Sequence, residues 1–196
     1  IEILKKDKKN FEIVLLSAEG NYKELLRQAQ FFKVKNLIIT NYESFQKIKK
    51  EKYSKQIKIF NNFENFKKIF KKKIDYTINA ISGIDGLLPT IEIIKFTKKI
   101  AIANKESIIC GWSLINKQLS KYKTKFIPVD SEHFSIFRLI NHKQNKLIQK
   151  IIITASGGPF LKKNVKNISI EDALKHPNWK MGKKISIDSS TMMNKV

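Results

Sequence analysis

A single cysteine, Cys110, in 196 residues excludes an internal disulfide and fits a reducing compartment. Beside Gly111 in an apolar stretch, it reads as a small buried side chain. Long hydrophobic runs are missing as well. Lys95, Lys98 and Lys99 interrupt the longest of them, so no segment is suited to span a bilayer. Neither an initiating Met nor a signal peptide precedes Ile1, and "TMMNKV" stops within a helical pattern, so the chain is expected to be an internal piece of a longer protein. Acidic residues are scarce: 17 Asp and Glu stand against 39 Lys and Arg, for a formal charge of +22 and a pI near 10.0. Such a surface favours anions, whether phosphorylated metabolites, nucleotides or nucleic acid. No arginine-rich patch accompanies the charge. The lysines fall in scattered pairs and triplets ("KKDKK", "KIKKEK", "FKKIFKKK") that read as solvated helix faces. Missing too is a Gly-rich turn after an opening strand, which would cradle a pyrophosphate at a helix N-terminus. Either the fold does not bind a dinucleotide or the chain begins just downstream of that turn.

What is present suffices for a core: 42% of residues are hydrophobic, 13 of them Phe. From residue 11 the pattern alternates. "FEIVLLSA", "VKNLIIT", "IKIF", "YTINAIS" and "KIAIA" read as strands, separated by helical spacing in "NYKELLRQAQFFK", "YESFQKIKKEKYSK", "NFENFKKIFKK" and "LLPTIEIIKFTK", the last with Pro89 near its first turn. Repeated βα units predict an α/β fold with a doubly wound, Rossmann-like parallel sheet. After residue 122 the strand candidates "KFIPVD", "KIIITAS" and "ISID" border polar, acidic or Gly-rich residues. Ligands of open α/β sheets lie beyond the carboxyl ends of strands, so this segment is the site candidate.

Four stretches there carry chemistry. "FIPVDSEHFSIF" brings Asp130, Glu132 and His133 together. If the strand continues through them, both carboxylates face one side, where they would repel unless a hard cation such as Mg²⁺ or Mn²⁺ lay between. Alternatively, Asp130 caps the helix "SEHFSIFRLI" with Glu132 in its first turn. "TASGGPF" offers the Ser156 hydroxyl and two glycines that allow close approach of a phosphate, although any tight turn uses the same residues. "HPNWKMG" sets His176, Trp179 and Met181 between Pro177 and Gly182, as in a lid, or else Trp179 packs on the domain. In "DSSTMMNK", Ser189 and Asn194 are suitable phosphate donors but do not share a helical face. "ANKES" adds Asn104, Lys105 and Glu106 at a strand end, suited to a cofactor edge.

In order, "NAISGIDGLLPT", "ANKES", "PVDSEH", "SGGPF" and "HPNWKMGKKISIDSSTMMNK" resemble the motif series of the 1-deoxy-D-xylulose 5-phosphate reductoisomerases, faintly in the first half and densely from residue 103. The resemblance implies an NADPH-dependent oxidoreductase acting on a CH–OH group in the non-mevalonate route of isoprenoid biosynthesis. It would convert 1-deoxy-D-xylulose 5-phosphate to 2-C-methyl-D-erythritol 4-phosphate by skeletal rearrangement followed by hydride transfer. Residues 1–122 would be an NADPH-binding domain and 123–196 the first part of an α/β catalytic domain.

Position by position, the resemblance makes Asp130 and Glu132 ligands of Mn²⁺ or Mg²⁺, with Co²⁺ also admitted. Lys105, Ser131, Glu132, Ser156, His176, Ser189, Asn194 and Lys195 would contact the sugar phosphate, with Lys105, Asp130 and Glu132 catalytic. Asn21, Asn104, Glu106 and Gly182 would meet the cofactor, and Trp179 and Met181 would form the flap. The family also implies a homodimer, in the cytoplasm of a bacterium or the plastid of a parasite, with no nucleic-acid or membrane partner. Its "GSTGSIG"-like loop and the Glu of its "GLE" motif have no counterpart here, so the isolated piece is expected to be inactive or nearly so. Two rivals remain: another NAD(P)-dependent enzyme of a phosphorylated or carboxylated substrate, and a basic nucleic-acid-binding module. The second is disfavoured because the aromatics lie at core-like periodic positions, away from the basic runs.

Overall fold

The computed structural model describes residues 1–140, 148–163, 166, 168–177, 179–180 and 182–191. Two compact units divide between Ile74 and Asp75.

The first unit repeats a βα plan. After a short helix α1 (Glu2–Lys6), strands β1 (Leu16–Ala18), β2 (Asn36–Ile39) and β3 (Lys58–Phe60) form a parallel sheet in that order, with Leu16 opposite Leu37 and Leu37 opposite Ile59. The crossovers are α2 (Tyr22–Phe32) and α3 (Tyr42–Lys50). Leu37, Ile38 and Ile39 are fully buried, as befits a central strand covered on both faces. Leu25, Leu26 and Ala29 of α2 and Ile48 of α3 pack on this strand. Both helices begin on an asparagine cap: Asn21 Oδ1 accepts the Glu24 N–H at 3.2 Å, and Asn41 Oδ1 the Ser44 N–H at 2.9 Å. At the end of α2, Lys33 turns left-handed (φ 56°), which lets Val34 N–H reach back to the Ala29 carbonyl. α4 (Phe66–Ile69) is one turn long, shorter than its periodicity predicts.

The second unit holds all of β4 (Ile74–Asn79) but its first residue, then α5 (Leu87–Ile93), β5 (Thr97–Ile102), α6 (Lys105–Tyr122), β6 (Lys125–Pro128) and α7 (Ser131–Ile140). The sheet order is β4-β5-β6, with β5 and β6 parallel and Ile100 opposite Phe126. Its core is Ile93, Ile94, Ile100, Ala101, Ile102, Ile115 and Leu119. The domain division expected at 122/123 lies inside this unit, since β6 beyond it pairs with β5 before it. Two short helices follow, α8 (Ile170–Leu174) and α9 (Lys183–Thr191).

The α/β class and the parallel pairing match the sequence expectation; several local readings do not. "ISID" is helix, not strand, because it falls within α9. Residues 148–157 form neither helix nor strand, although "KIIITAS" has strand composition. Cys110 is exposed, not buried; Gly111 takes the inward position, where a Cβ would strike the side chain of Leu87. Among the described residues no helix is long and apolar enough to cross a membrane.

Candidate active site

The carboxyl ends of β4, β5 and β6 each present a polar side chain: Asn79, Asn104 and Asp130. The two asparagines have structural tasks. Asn79 is buried and donates through Nδ2 to the Gly86 carbonyl at 3.0 Å and to Thr90 Oγ1, while its Oδ1 accepts the Ile81 N–H at 3.0 Å. Asn104 caps α6 by accepting the Ser107 N–H at 2.6 Å, and its Nδ2 donates to the carbonyls of Ile81 and Gly83. Together they pin the loop 80–86 over the strand ends. The Asn104 amide expected to meet a cofactor thus makes hydrogen bonds within the chain through both its Nδ2 and its Oδ1, and Asn21 caps α2 through its Oδ1.

Beside this loop five charges alternate in sign. Glu106 Oε1 lies 3.1 Å from Lys184 Nζ, Lys184 is 4.0 Å from Asp188 Oδ2, Asp188 is 2.8 Å from Lys105 Nζ, and Lys105 is 3.6 Å from Asp130 Oδ2. The side chains of Lys105, Asp130 and Asp188 are only 13–14% exposed, so these are not solvent-screened surface pairs. Burial pulls the Lys105 ammonium towards neutrality, but the hydrogen bond it donates to Asp188 and the charges of Asp188 and Asp130 outweigh it and raise its pKa. For Glu106, burial pushes the carboxyl up, while its own backbone N–H and Lys184 hold it below its ordinary value.

The strand reading of Asp130 is not what the structure shows; the helix reading holds for the position of Asp130 ahead of α7 and of Glu132 in its first turn, though not for a side-chain cap. β6 ends at Pro128, so no strand carries Asp130 and Glu132 to one face, and Glu132 lies in the first turn of α7, accepting from Ser131 Oγ at 2.8 Å. Asp130 starts the helix through its carbonyl, which accepts the Phe134 N–H at 2.7 Å, yet its buried Oδ1 has no hydrogen-bond partner among the described residues. His133 Nδ1 is 3.9 Å from that oxygen, outside hydrogen-bond range. Glu106 Oε2 is a second buried acceptor without a partner among the described residues. A buried anionic oxygen with no donor is costly, and a hard divalent ion is the group that suits it. Among the described residues no three acidic, His or Cys side chains cluster as a metal set. Mg²⁺ and Mn²⁺ commonly take only one or two carboxylates and fill their shell with water and substrate oxygens, so the Asp130 oxygen fits such an ion.

A second cluster forms around Ser156. His176 Nδ1 accepts the Trp179 N–H at 3.2 Å, so the neutral ring carries its proton on Nε2, which lies 3.2 Å from Ser156 Oγ. Ser156 Oγ also accepts the Gly158 N–H at 3.3 Å. With both lone pairs used, the Ser156 proton can be given to an external acceptor such as a phosphate oxygen. Trp179, 58% exposed, stacks on His176 at 4.8 Å and 11°. Gly157 and Gly158 both have positive φ (77° and 64°), and a Cβ on Gly158 would sit 2.7 Å from Ser190 Cα; only glycine lets this turn press on the α9 backbone. Ser189 Oγ meanwhile donates to the Ser186 carbonyl at 2.7 Å.

The structure therefore unites Lys105 with Asp130, and Ser156 with His176 and Trp179, and seats the Ser156 turn against the helix of Ser189. Gly182 opens α9, its carbonyl accepting the Ser186 N–H at 3.1 Å. Met181, Asn194 and Lys195 lie outside the described residues. Sequence reasoning missed Asp188 and Lys184. Their i,i+4 spacing was a faint signal, but the strand reading of "ISID" hid it.

Two family models match the chain: 1-deoxy-D-xylulose 5-phosphate reductoisomerase over residues 1–111 and the C-terminal domain of the same enzyme over 126–196. A 1-deoxy-D-xylulose 5-phosphate reductoisomerase of Pelagibacter ubique is 59% identical over all of this chain and 52% of its own length; one of Wolbachia pipientis from Culex pipiens is 40% identical over all of this chain and 51% of its own. Among solved structures, the Zymomonas mobilis enzyme in complex with NADPH superposes with a TM-score of 0.84 at 31% identity, covering 99% of this chain and 51% of that one. A DOX-P reductoisomerase in complex with NADPH, fosmidomycin and magnesium gives 0.80 at 31% identity, covering 98% and 51%. The chain spans about half the length of the curated relatives it matches.

Proposed function

The chain belongs to the 1-deoxy-D-xylulose 5-phosphate reductoisomerase family, and from that premise we propose that the protein carrying it converts 1-deoxy-D-xylulose 5-phosphate to 2-C-methyl-D-erythritol 4-phosphate in isoprenoid biosynthesis. The observation that carries the reading is the partly buried Lys105–Asp130 pair at the carboxyl ends of the strands, with an anionic oxygen on Asp130 that has no partner among the described residues. When bound, NADPH supplies the hydride and a divalent ion, Mn²⁺ or Mg²⁺, the Lewis acidity that such a rearrangement and reduction need.

The remaining roles fall to side chains of this chain. Asp130 and Glu132 hold the ion, and Ser131 and Glu132 border the substrate. Lys105 is a fixed cation that orients the substrate's oxygens and stabilises negative charge developing on them. Ser156 and His176 take the phosphate together: the His176 tautomer set by Trp179 directs Nε2–H to Ser156, and Ser156 passes its own proton outward. Ser189, Asn194 and Lys195 complete the phosphate contacts once Ser189 releases the Ser186 carbonyl. Trp179 and Met181 close over the substrate and exclude water. Phosphate held away from the reacting carbons adds binding energy and orientation. Glu106, through its unpartnered Oε2, and Gly182 border the cofactor, and Asn104 and Asn21 shape its edge through the turns they cap. Residues 1–122 serve mainly the cofactor, with Lys105 reaching the substrate, and 123–196 mainly the ion and substrate, with Gly182 reaching the cofactor. The whole protein acts as a homodimer in the bacterial cytoplasm.

The test is NADPH oxidation by the whole protein that carries this chain, on addition of 1-deoxy-D-xylulose 5-phosphate and Mn²⁺, with Glu132→Gln alongside. Turnover that disappears in the variant supports both the reaction and the metal role. A folded, NADPH-binding protein without turnover would reject the substrate and point to another phosphorylated compound.

A further inference from the structure

Asp188 has no task in the function just proposed, yet it holds the best-placed charge in the site. Its Oδ2 is 2.8 Å from Lys105 Nζ, closer than the 3.6 Å that separates the same ammonium from Asp130. It is fixed from the other side as well. Lys184, one turn earlier on α9, stands 4.0 Å from Asp188 and 3.1 Å from Glu106, and Glu106 follows Lys105 at the start of α6. Two helices thus lock four alternating charges together, and the fifth, Asp130, is left with a buried Oδ1 that nothing among the described residues satisfies.

An ammonium on a flexible stem goes to the nearest available carboxylate. Among the described residues, only Asp188 and Asp130 lie within ion-pair range of Lys105. We propose that Asp188 is a positioning residue: it holds Lys105 back from Asp130, keeping the Asp130 carboxylate open to a divalent cation and the ammonium turned to the substrate. Without the charge at 188, Lys105 closes the remaining distance to Asp130 and becomes an internal competitor, occupying the carboxylate and repelling an incoming dication. Asp188 therefore governs metal affinity without being a ligand.

This rests on the metal reading given above, and the two can fail separately. The measurement is Mn²⁺ binding to the whole protein, without substrate or cofactor, by the electron paramagnetic resonance signal of free Mn²⁺. Four proteins are compared: wild type, Asp188→Asn, Lys105→Met and the double variant. Asp188→Asn is expected to bind Mn²⁺ about tenfold or more weakly, the range typical of losing a partner that orients a metal site. The double variant is expected to match Lys105→Met, because the competitor is gone, and Asp188→Glu, which keeps the charge, is expected to restore most of the affinity. Should the Asn variant not fold by circular dichroism, Asp188→Ser removes the same charge and carries the same expectation.

Unchanged affinity in Asp188→Asn overturns the proposal. So does a double variant as weak as Asp188→Asn while Lys105→Met binds normally, since Asp188 would then act on the ion itself. A wild type that binds no Mn²⁺ rejects the metal reading and this inference with it, whereas a binding wild type with an indifferent Asp188→Asn rejects the inference alone.

Discussion

Gly158 is where backbone conformation and tertiary contact both demand the absence of a side chain, and Gly158→Ala measures each. With φ at +64°, alanine must adopt the left-handed region, which costs about 1–2 kcal/mol, and the following Pro159 restricts the residue further. Its Cβ would lie 2.7 Å from both Ser190 N and Ser190 Cα and 2.8 Å from Ser189 C. These are backbone atoms of a helix and cannot swing aside, so overpacking adds about 1–3 kcal/mol. The expected loss is therefore about 2–5 kcal/mol. Gly83→Ala isolates a backbone cost: its φ of +72° and ψ of −168° are a conformation essentially confined to glycine, but nothing lies within 4 Å of the new methyl, so only a conformational cost, about 1–3 kcal/mol, should appear. Both tryptophans, Trp112 and Trp179, belong to the second unit, so urea unfolding followed by tryptophan fluorescence reports on the unit that contains both substitutions. If Gly158→Ala costs no more than the bare left-handed cost of about 1–2 kcal/mol, the Ser156 turn is not seated on α9, and the association of Ser156 with Ser189 falls.

Two other substitutions probe the scaffold. Asn79→Asp replaces an amide that donates to the Gly86 carbonyl with a carboxylate oxygen facing it in a buried site, and should cost about 1–3 kcal/mol or more in the same assay; a loss below about 0.5 kcal/mol would mean that Asn79 does not pin the loop. At the start of α8, Asp172 is held at about 2, first by its hydrogen bond from Lys163 and then by the Ser169 N–H and hydroxyl of the capping box. Because that value lies below the ordinary 3.8, its contribution to folding is full above pH 3.8 and is lost as the pH falls from there through about 2. Lys163→Ala should move the Asp172 titration, followed by carboxyl carbon NMR, up towards its ordinary value; an unmoved titration would show that the ion pair is not formed in solution.

Much of the scaffold was legible because its causes are local. Alternating apolar runs and helical spacing identified β1–β5 and α2, α3 and α5, and an asparagine stands as cap ahead of α2, α3 and α6. The errors share one origin. "IIIT" is rich in β-branched residues and "ISID" alternates, so both satisfy the local criterion for a strand. Residues 148–157 form none, and 185–188 instead join the helix on which Gly158 rests. Cys110 was misplaced because apolar neighbours in sequence do not fix a helix face: the buried stripe of α6 runs through Ser107, Gly111, Ile115 and Leu119 and leaves Cys110 outside it.

The order of residue types by itself determined the α/β class, the family motifs and the membership of Lys105, Asp130, Ser156, His176 and Trp179 in a candidate site. Spacing along the chain carries that information. Only the tertiary structure decided which groups meet. Lys105 and Asp188 are 83 residues apart and become partners because the fold brings the start of α6 alongside α9. Likewise Asn104 turned out to be engaged in capping and loop-holding, and one oxygen of Asp130 was left without a donor. Whether a buried charge is paired depends on what surrounds it in space, and no periodicity in the chain encodes that.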